Sequence, residues 1–407
     1  MVNKMKLEID PVGQYYSSIA NEKQPGIFSI TARLKETVRP DILQLAVNDV
    51  IRRLPFISGR LKGGFFCYYY EIIKEPPQIL PASEPYTFSY YYKNGSHVLR
   101  VLYGERHFAV ETTHSVCDGR GLEKVTSALL VRYFELLGLT TGKDGIIDCT
   151  ADVQEEEAEN AYARYANTQK TKLSFEKMTP SVKAYHSKCS QISETGIITQ
   201  KFDAGKMKAA AKAFGATISE FILAHIFTVI AEERKARGCT KPITASVPID
   251  CRSFFPSKTL RSFVSSATIV MPESAKDFSE MIRQTHSQFT RIDKDYVLSD
   301  ICEVHKLYNS MYYLPRILKK LGIKMIEYSE AASQTTGFSN LGLVKLPKEI
   351  EEHIDILEFA IGLAQDTPYF FSCITFGNVL ALTATVTPEG AAIAEKVNKT
   401  LEKSLEK

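Results

Sequence analysis

The stretch Phe108-Ala-Val-Glu-Thr-Thr-His114-Ser-Val-Cys-Asp118-Gly119-Arg-Gly121-Leu is the part of the sequence around which the rest is organised. Every second residue from Phe108 to His114 falls on the same face of an extended chain, which predicts a strand. The residues from Asp118 to Gly121 break that pattern. Beyond them, apolar residues recur at helical spacing, at Leu122, Val125, Leu129 and Tyr133. The pattern predicts a strand, a loop and a helix.

This arrangement places a histidine at the end of a strand and a carboxylate four residues later, at the start of a helix. A strand end is rigid, and a general base must lie within hydrogen-bond reach of the proton that it removes. His114 is therefore a candidate base. The residues alone fit equally well a half-buried histidine without a catalytic role, with Asp118 as the N-cap of the helix.

Composition and charge limit the classes of function. The 407 residues are 44% hydrophobic and 10% aromatic, as in an ordinary globular protein. The net charge of +3 is too small for a nucleic-acid-binding surface, so small molecules or protein partners are expected. The N-terminus lacks a signal-peptide pattern, and no apolar run is long enough to span a membrane. Eight scattered cysteines without a Cys-x-x-Cys pair predict reduced thiols in the cytoplasm and no metal site.

Periodicity over the whole chain predicts two α/β lobes of comparable size. We assign residues 1–150 to the first lobe, 151–194 to a crossover linker and 195–407 to the second lobe, because composition changes across the linker. Strands are predicted at 26–35, 97–103, 108–114, 195–202, 243–251, 265–271, 337–347 and 356–362, with a β-rich run at 60–74 and a hairpin at 369–387 that turns at Gly377-Asn378. Helices are predicted from 40 and 122 in the first lobe, and at 204–214, 218–237, 278–289, 301–321 and 390–405 in the second.

Four stretches of the chain resemble a known family. They are Thr113-His114-Ser-Val-Cys-Asp118-Gly119, Leu43 to Leu61, Val247 to Phe263, and Ser339-Asn340-Leu-Gly342. Their order and spacing resemble the chloramphenicol-acetyltransferase-like superfamily, whose motif is His-His-x-x-x-Asp-Gly. The superfamily includes condensation domains, polyketide-associated acyltransferases and alcohol acetyltransferases. The chain looks most like the bacterial alcohol-acetyltransferase-type and polyketide-associated members.

The resemblance implies two lobes that meet in a V, with a tunnel between them and His114 in its middle. It implies transfer of an acyl group from a thioester to a hydroxyl or amine, with no bound cofactor. Thr113 replaces the first histidine of the motif, and the tryptophan-containing signature of the plant members is absent. The donor is therefore left open between acyl-CoA and an acyl group on the phosphopantetheine of a carrier protein.

The resemblance also implies roles for residues around the motif. His114 would be the base, and Asp118 would form a structural ion pair with Arg252, with Arg60 as the second choice of partner. Gly119 would permit a close approach that a side chain would block. Asn340 would donate a hydrogen bond to the oxyanion, or else be an ordinary turn amide.

Two further alternatives stay open at this point. Cys117 lies three residues from His114, so a Cys–His acyl-enzyme competes with a small buried residue, which direct transfer favours. Ser257, Lys258 and Arg261 would hold a phosphate of the donor or else belong to a solvated loop. For the whole chain, the alternative to an acyltransferase is a non-catalytic, condensation-like module that binds a carrier protein or small ligand in the cleft.

Overall fold

The computed structural model describes residues 6–73, 75–83, 86, 89–90, 92, 95–167, 182–189, 195–275, 277–364 and 366–406. In the first half, the described strands are β1 (Lys6–Glu8), β2 (Ile27–Leu34), β3 (Gly59–Gly63), β4 (Tyr68–Ile72), β5 (Leu80–Pro81), β6 (Arg100–Tyr103) and β7 (His107–Thr113). The helices there are α1 (Pro11–Ile19), α2 (Pro40–Arg53), α3 (Gly119–Leu136) and α4 (Ala161–Ala166).

The second half has the same mixture of elements. Its described strands are β8 (Gly196–Asp203), β9 (Ile243–Asp250), β10 (Val264–Met271), β11 (Thr336–Val344), β12 (Ile354–Ile361), β13 (Tyr369–Phe376) and β14 (Val379–Val386). Its helices are α5 (Ala204–Ala213), α6 (Ile218–Ala236), α7 (Phe278–Phe289), α8 (Lys294–Ser310), α9 (Arg316–Ala332), α10 (Lys348–Glu351) and α11 (Ala391–Leu405). The predicted α/β class is confirmed.

The first large sheet carries the motif. Its strand order is β12-β2-β7-β6-β5, and β7 is buried along its whole length. The helix α3 packs against β2 and β7 with the apolar face that its sequence spacing predicts, since Leu122, Val125, Leu129 and Tyr133 are all buried. A small antiparallel sheet, β1-β4-β3, adjoins this lobe. The predicted strand, loop and helix are therefore present where the motif requires them.

The second large sheet has the order β10-β9-β11-β13-β14-β8. Its centre is β11, which runs parallel to both neighbours, β9 and β13. The long helix α6 begins at the predicted cap, where Thr217 and Glu220 form a reciprocal capping box. Phe221, Ile222 and Phe227 bury its apolar surface in the core of this lobe.

The two sheets do not divide the chain at one point. The strand β12 belongs to the second half of the sequence but pairs antiparallel with β2 in the first sheet, with Phe359 opposite Ile30. Its residues are buried at Ile354 and from Ile356 to Ala360, because they complete the first hydrophobic core. A boundary at residue 195 therefore separates the sequence but not the sheets.

The predicted linker, 151–194, is described only in part. Its described residues include a short 3-10 turn, Glu155–Ala158, and the helix α4. Tyr162 of α4 is fully buried, and its hydroxyl donates a hydrogen bond to the carbonyl of Val264 in β10. Residues 168–181 and 190–194 lie outside the described residues.

The sequence-based prediction of helices contains one error and one omission. The helix predicted at 301–321 is two helices, because α8 ends at Ser310 and Pro315, which cannot continue an α-helix, lies just before α9. The helix α1 was not predicted at all, although Asp10 caps it by accepting a hydrogen bond from the Gly13 amide at 2.8 Å. Among the described residues, no single helix is long and apolar enough to cross a membrane, and the pair α5 and α6 reaches that length only across a 79° bend.

Candidate active site

A cavity of about 710 Å³ lies between the two large sheets. The first sheet contributes His114, which follows β7, and Phe359 of β12. The second sheet contributes Ser266 of β10 and Asn340 of β11. Three helices, α1, α8 and α9, close the remaining walls. The histidine predicted as a base and the asparagine predicted as an oxyanion donor therefore line one cavity, from opposite lobes.

His114 is the first residue after β7 and lies in a tight turn, which the Val116 amide closes by donating to the carbonyl of Thr113 at 2.9 Å. Its imidazole is stacked between two aromatic rings, with the centroid of Tyr16 at 4.5 Å and that of Phe28 at 4.4 Å. Its carbonyl accepts a hydrogen bond from the hydroxyl of Ser262 at 2.9 Å. The ring is thus fixed on both faces and at its backbone.

Because both of its faces are covered, the His114 ring has a lowered pKa. Burial lowers the pKa of His114 to about 4, against a smaller raising effect of the Asp118 carboxylate. The Nδ1 atom is buried without a hydrogen-bond partner among the described residues. The imidazole is therefore neutral at pH 7, which is the protonation state that a general base needs.

Asp118 is fully buried at the edge of the cavity, and protein donors occupy both of its carboxylate oxygens. Its Oδ1 accepts from the Gly121 amide at 2.8 Å, which caps α3. Its Oδ2 accepts from the Phe263 amide and from the Arg252 guanidinium, each at 2.8 Å. Asp118 therefore shapes the motif loop and joins it to the segment that follows β9.

Arg252 is the residue that the structure places against Asp118. Its guanidinium also donates to Asp250 Oδ1 at 2.9 Å and to the carbonyls of Thr259 and Arg261, at 3.0 and 2.7 Å. Although burial alone lowers the pKa of Arg252, the two carboxylates outweigh it and raise that pKa further. Arg60, the second choice, lies instead in β3.

Two glycines of the motif allow close contact between the lobes. A Cβ atom on Gly119 would lie 2.8 Å from the Leu341 side chain of β11. A Cβ atom on Gly121 would lie 2.0 Å from the backbone oxygen of Leu260, which cannot move aside as a side chain can. Between them, Arg120 donates to the carbonyl of Leu341 at 2.8 Å. The Gly-Arg-Gly sequence thus docks the start of α3 on the second lobe.

Asn340 is half-buried in the cavity wall and is held by its own strand and by α6. Its Nδ2 donates to the hydroxyl of Ser219 at 2.9 Å, and its Oδ1 accepts from the Gly342 amide at 2.7 Å. Gly342 has a φ of +75°, a conformation that glycine adopts without strain. An amide nitrogen carries two hydrogens, so one remains for a ligand.

The structure places the expected donor-binding residues elsewhere. The Ser257 hydroxyl donates to Glu159 and the Lys258 ammonium pairs with Glu156, each at 2.6 Å. Arg261 is buried, where it donates to the carbonyl of Glu8 at 2.7 Å and lies 3.5 Å from Asp10. None of the three lines the cavity; their polar groups contact the segment after α3 and the N-terminal segment.

Cys117 is enclosed in the motif loop. It is 2% exposed, and burial raises the pKa of its thiol well above the ordinary range, with a further contribution from the Asp118 carboxylate. A thiol is a nucleophile only as the thiolate. This environment favours the structural alternative for Cys117. Among the described residues, no three His, Cys, Asp or Glu side chains group closely enough to hold a metal ion.

The sequence reasoning missed the aromatic rings that hold His114. Tyr16 belongs to α1, the helix that was not predicted, and the hydroxyl of its neighbour Tyr15 donates to Glu330 of α9. The signal was present as Asp10-Pro11, because an aspartate N-cap followed by proline at the first helical position marks a helix start. Phe28 lies in β2, which was predicted as a strand, but the sequence does not indicate that the Phe28 ring stacks on His114.

Comparison with known proteins finds structures that share the fold of this chain. No protein-family model and no curated protein sequence matches this chain. Polyketide synthase associated protein 5 from Mycobacterium tuberculosis is similar in structure, with a TM-score of 0.67, 11% sequence identity, and 97% of each chain covered. The epimerization domain from the third module of tyrocidine synthetase B has a TM-score of 0.60 at 11% identity, with 99% of this chain and 96% of that one covered.

A third similar structure is the trichothecene 15-O-acetyltransferase from Fusarium sporotrichioides, with a TM-score of 0.59 and 12% identity. The alignment covers 98% of this chain and 94% of that one. These likenesses span nearly the whole chain and confirm the predicted fold class. The chain therefore shares its fold with this polyketide-associated protein, this epimerization domain and this acetyltransferase, as the resemblance implied.

Proposed function

We propose that this protein is an acyltransferase that moves an acyl group from a thioester donor to a hydroxyl or amine acceptor. The observation that carries the proposal is the state of His114. It is a neutral imidazole, fixed between Tyr16 and Phe28, and it lies on a cavity that both lobes line. A neutral imidazole held in place can take the proton from an alcohol or amine that attacks a carbonyl.

The proposed reaction is a direct transfer. The acceptor O–H or N–H gives its proton to His114 as its oxygen or nitrogen bonds to the thioester carbonyl carbon. The carbonyl oxygen becomes an oxyanion, to which Asn340 donates its remaining amide hydrogen. The C–S bond then breaks, the imidazolium returns its proton to the departing sulfur, and the products are an ester or amide and a free thiol. Closing the reaction off from water limits hydrolysis of the donor.

Asp118 and Arg252 have a positioning role in this proposal. They hold the motif loop and so fix where the His114 ring lies. The proposal includes two forms of thioester donor. Acyl-CoA and an acyl phosphopantetheine on a carrier protein present the same thioester, and the similar structures include a polyketide synthase associated protein and domains of nonribosomal peptide synthetases. Both donors belong in the test.

The proposal is tested by measuring thiol release and product formation with a panel of acyl-CoAs and acyl-carrier proteins, each with alcohol and amine acceptors. We expect at least one donor to give acceptor-dependent thiol release that the His114→Ala variant lacks. Binding of a donor or carrier protein without thiol release in any combination would instead identify a non-catalytic binding module.

A further inference from the structure

The helix α9 has an inner face toward the cavity and an outer face toward solvent. Its inner face, at Lys319, Ile323 and Glu330, lines the cavity. Its outer face, which we define as Ile317, Leu318, Leu321, Met325 and Tyr328, is apolar and exposed. These five residues lie at positions i, i+1, i+4, i+8 and i+11, so they form one continuous stripe along the helix.

The side chains of the outer face project into solvent. Ile317 is 81% exposed, Tyr328 75%, Met325 71% and Leu321 66%. Single exposed apolar residues are normal on a protein surface, but a contiguous group of this kind marks an interaction site. These side chains protrude, as side chains that insert into a lipid layer must do.

A second exposed apolar group, the aromatic tip, adjoins the start of α9. It consists of Phe65 and Phe66, from the turn between β3 and β4, and Tyr313, from the turn between α8 and α9. The Phe66 and Tyr313 rings lie 6.4 Å apart, and the Arg316 amide donates to the carbonyl of Phe65 at 2.9 Å. These contacts make the aromatic tip continuous with the helix and extend the apolar surface beyond it.

Among the residues of α9, the exposed charged side chains are both lysines. Lys320 and Lys324 are exposed along one flank of the stripe, whereas the other flank carries the uncharged Gly322 and Ser329. The carboxylates of the helix, Glu327 and Glu330, belong to the face that lines the cavity. An apolar stripe bordered by lysines complements a bilayer that contains anionic lipid.

We propose that the outer face of α9 and the aromatic tip form a peripheral membrane-binding surface for anionic bilayers. In this orientation Ile317 and Leu321 enter the boundary between headgroups and acyl chains, and Lys320 and Lys324 contact lipid phosphates. The cavity then lies directly behind the bound helix, where an acceptor or acyl chain of lipid character can enter. The membrane surface is inferred independently of acyl transfer.

The test is flotation of the full chain with two kinds of vesicle, phosphatidylcholine alone and phosphatidylcholine mixed with phosphatidylglycerol. We expect binding to the anionic vesicles, weakened by added salt. The double variant Ile317→Asp/Leu321→Asp should reduce the partition at least about tenfold. Lys320→Glu/Lys324→Glu should reduce it for the anionic vesicles.

Controls separate this surface from a general loss of folding or charge. Leu45→Asp changes a 51% exposed leucine on α2 and should bind as the unaltered protein does. Thermal melts should match for all variants, and Met325→Glu/Tyr328→Glu provides a second pair if the first is unstable. Unaltered protein that ignores both vesicles would overturn the proposal, as would full binding by the aspartate variant. So would a finding that the outer face supports only self-association in sedimentation experiments or only binding of an acyl-carrier protein.

Discussion

Arg252 and Asp118 meet at 2.8 Å although 134 residues separate them in the sequence. Arg252 follows β9 of the second sheet, and Asp118 follows β7 of the first, so the ion pair joins the lobes directly behind the motif loop. Both side chains are largely buried, at 12% and 0% exposed. A buried charge that loses its partner is costly, and so this contact makes a strong prediction about stability.

Replacing either partner should destabilise the protein. We expect Asp118→Asn and Arg252→Ala each to lower the free energy of unfolding by about 3–5 kcal/mol, because each leaves a buried charge or donor unpaired. The double variant should lose less than the sum of the two single variants. A double-mutant cycle in urea unfolding measures the coupling, and strict additivity would contradict a direct interaction.

Removing the His114 imidazole should separate catalysis from folding. His114→Ala is expected to lower the transfer rate by roughly 10²–10⁴-fold, the usual contribution of a general base. The thermal melt should change little compared with Asp118→Asn, because the Nδ1 atom of His114 has no hydrogen-bond partner among the described residues and the contact with Ser262 is made by the backbone carbonyl. Initial rates with a saturating donor check this, and activity above about a tenth of the original would exclude the role.

The pH dependence of activity should reflect the lowered pKa of His114. Because the ring loses its proton at about pH 4, kcat/KM should stay level as the pH falls from 8 to 5.5 and decline only near pH 4. A decline centred near 6.5 would mean that the imidazole is not desolvated in the free enzyme.

The lowered pKa of His114 also makes the stability of the fold depend on pH. Between about pH 6.5 and 4 the unfolded chain binds a proton that the folded one does not, so His114 makes the protein less stable as the pH falls.

The two motif glycines should differ in their tolerance of alanine. Gly121→Ala would drive a methyl group against the Leu260 carbonyl and is expected to lower soluble yield and melting temperature strongly. Gly119→Ala meets side chains only, the end of Leu341 at 2.8 Å and the Phe359 ring at 3.3 Å, and these can shift, so its effect should be milder. Gly142→Ala is the matched control, since nothing lies within 4 Å of its added methyl group. Equal losses at Gly119 and Gly121 would disprove the distinction.

Direct transfer makes a separate prediction for Cys117. Its buried thiol, with a raised pKa, should not accept the acyl group, so Cys117→Ala should keep most of the activity. Intact-protein mass spectrometry after incubation with donor alone should show no adduct. An acyl adduct on the unaltered protein that disappears in Cys117→Ala would establish a covalent relay, and ping-pong kinetics would accompany it.

Local patterns were sufficient for much of the fold. The alternation that ends at His114 and the helical spacing after Gly121 are properties of neighbouring residues, and the structure follows both closely. The errors also have local causes. The helix predicted at 301–321 runs past Pro315, and the Asp10-Pro11 start of α1 introduces a helix of only nine residues with mixed polarity.

The surroundings of the site depend on contacts that no local pattern contains. The stacking of Tyr16 and Phe28 on His114 requires α1 and β2 to converge on the turn after β7. Ser257, Lys258 and Arg261 have the chemistry of a phosphate site, but carboxylates and carbonyls from distant segments already occupy them. Residue type predicted what these side chains can bind, whereas tertiary contacts decide what they do bind.

The position of β12 has a consequence for how the chain is made. Arg33 of β2 pairs with Glu358 of β12 across 325 residues, so during synthesis β2 emerges long before the strand that covers its edge. Until then, an apolar strand with unpaired backbone groups is open to pairing with other chains. A fragment that stops before β12 should therefore aggregate. The ribosome must synthesise most of the protein before β12 can complete the sheet that carries the motif.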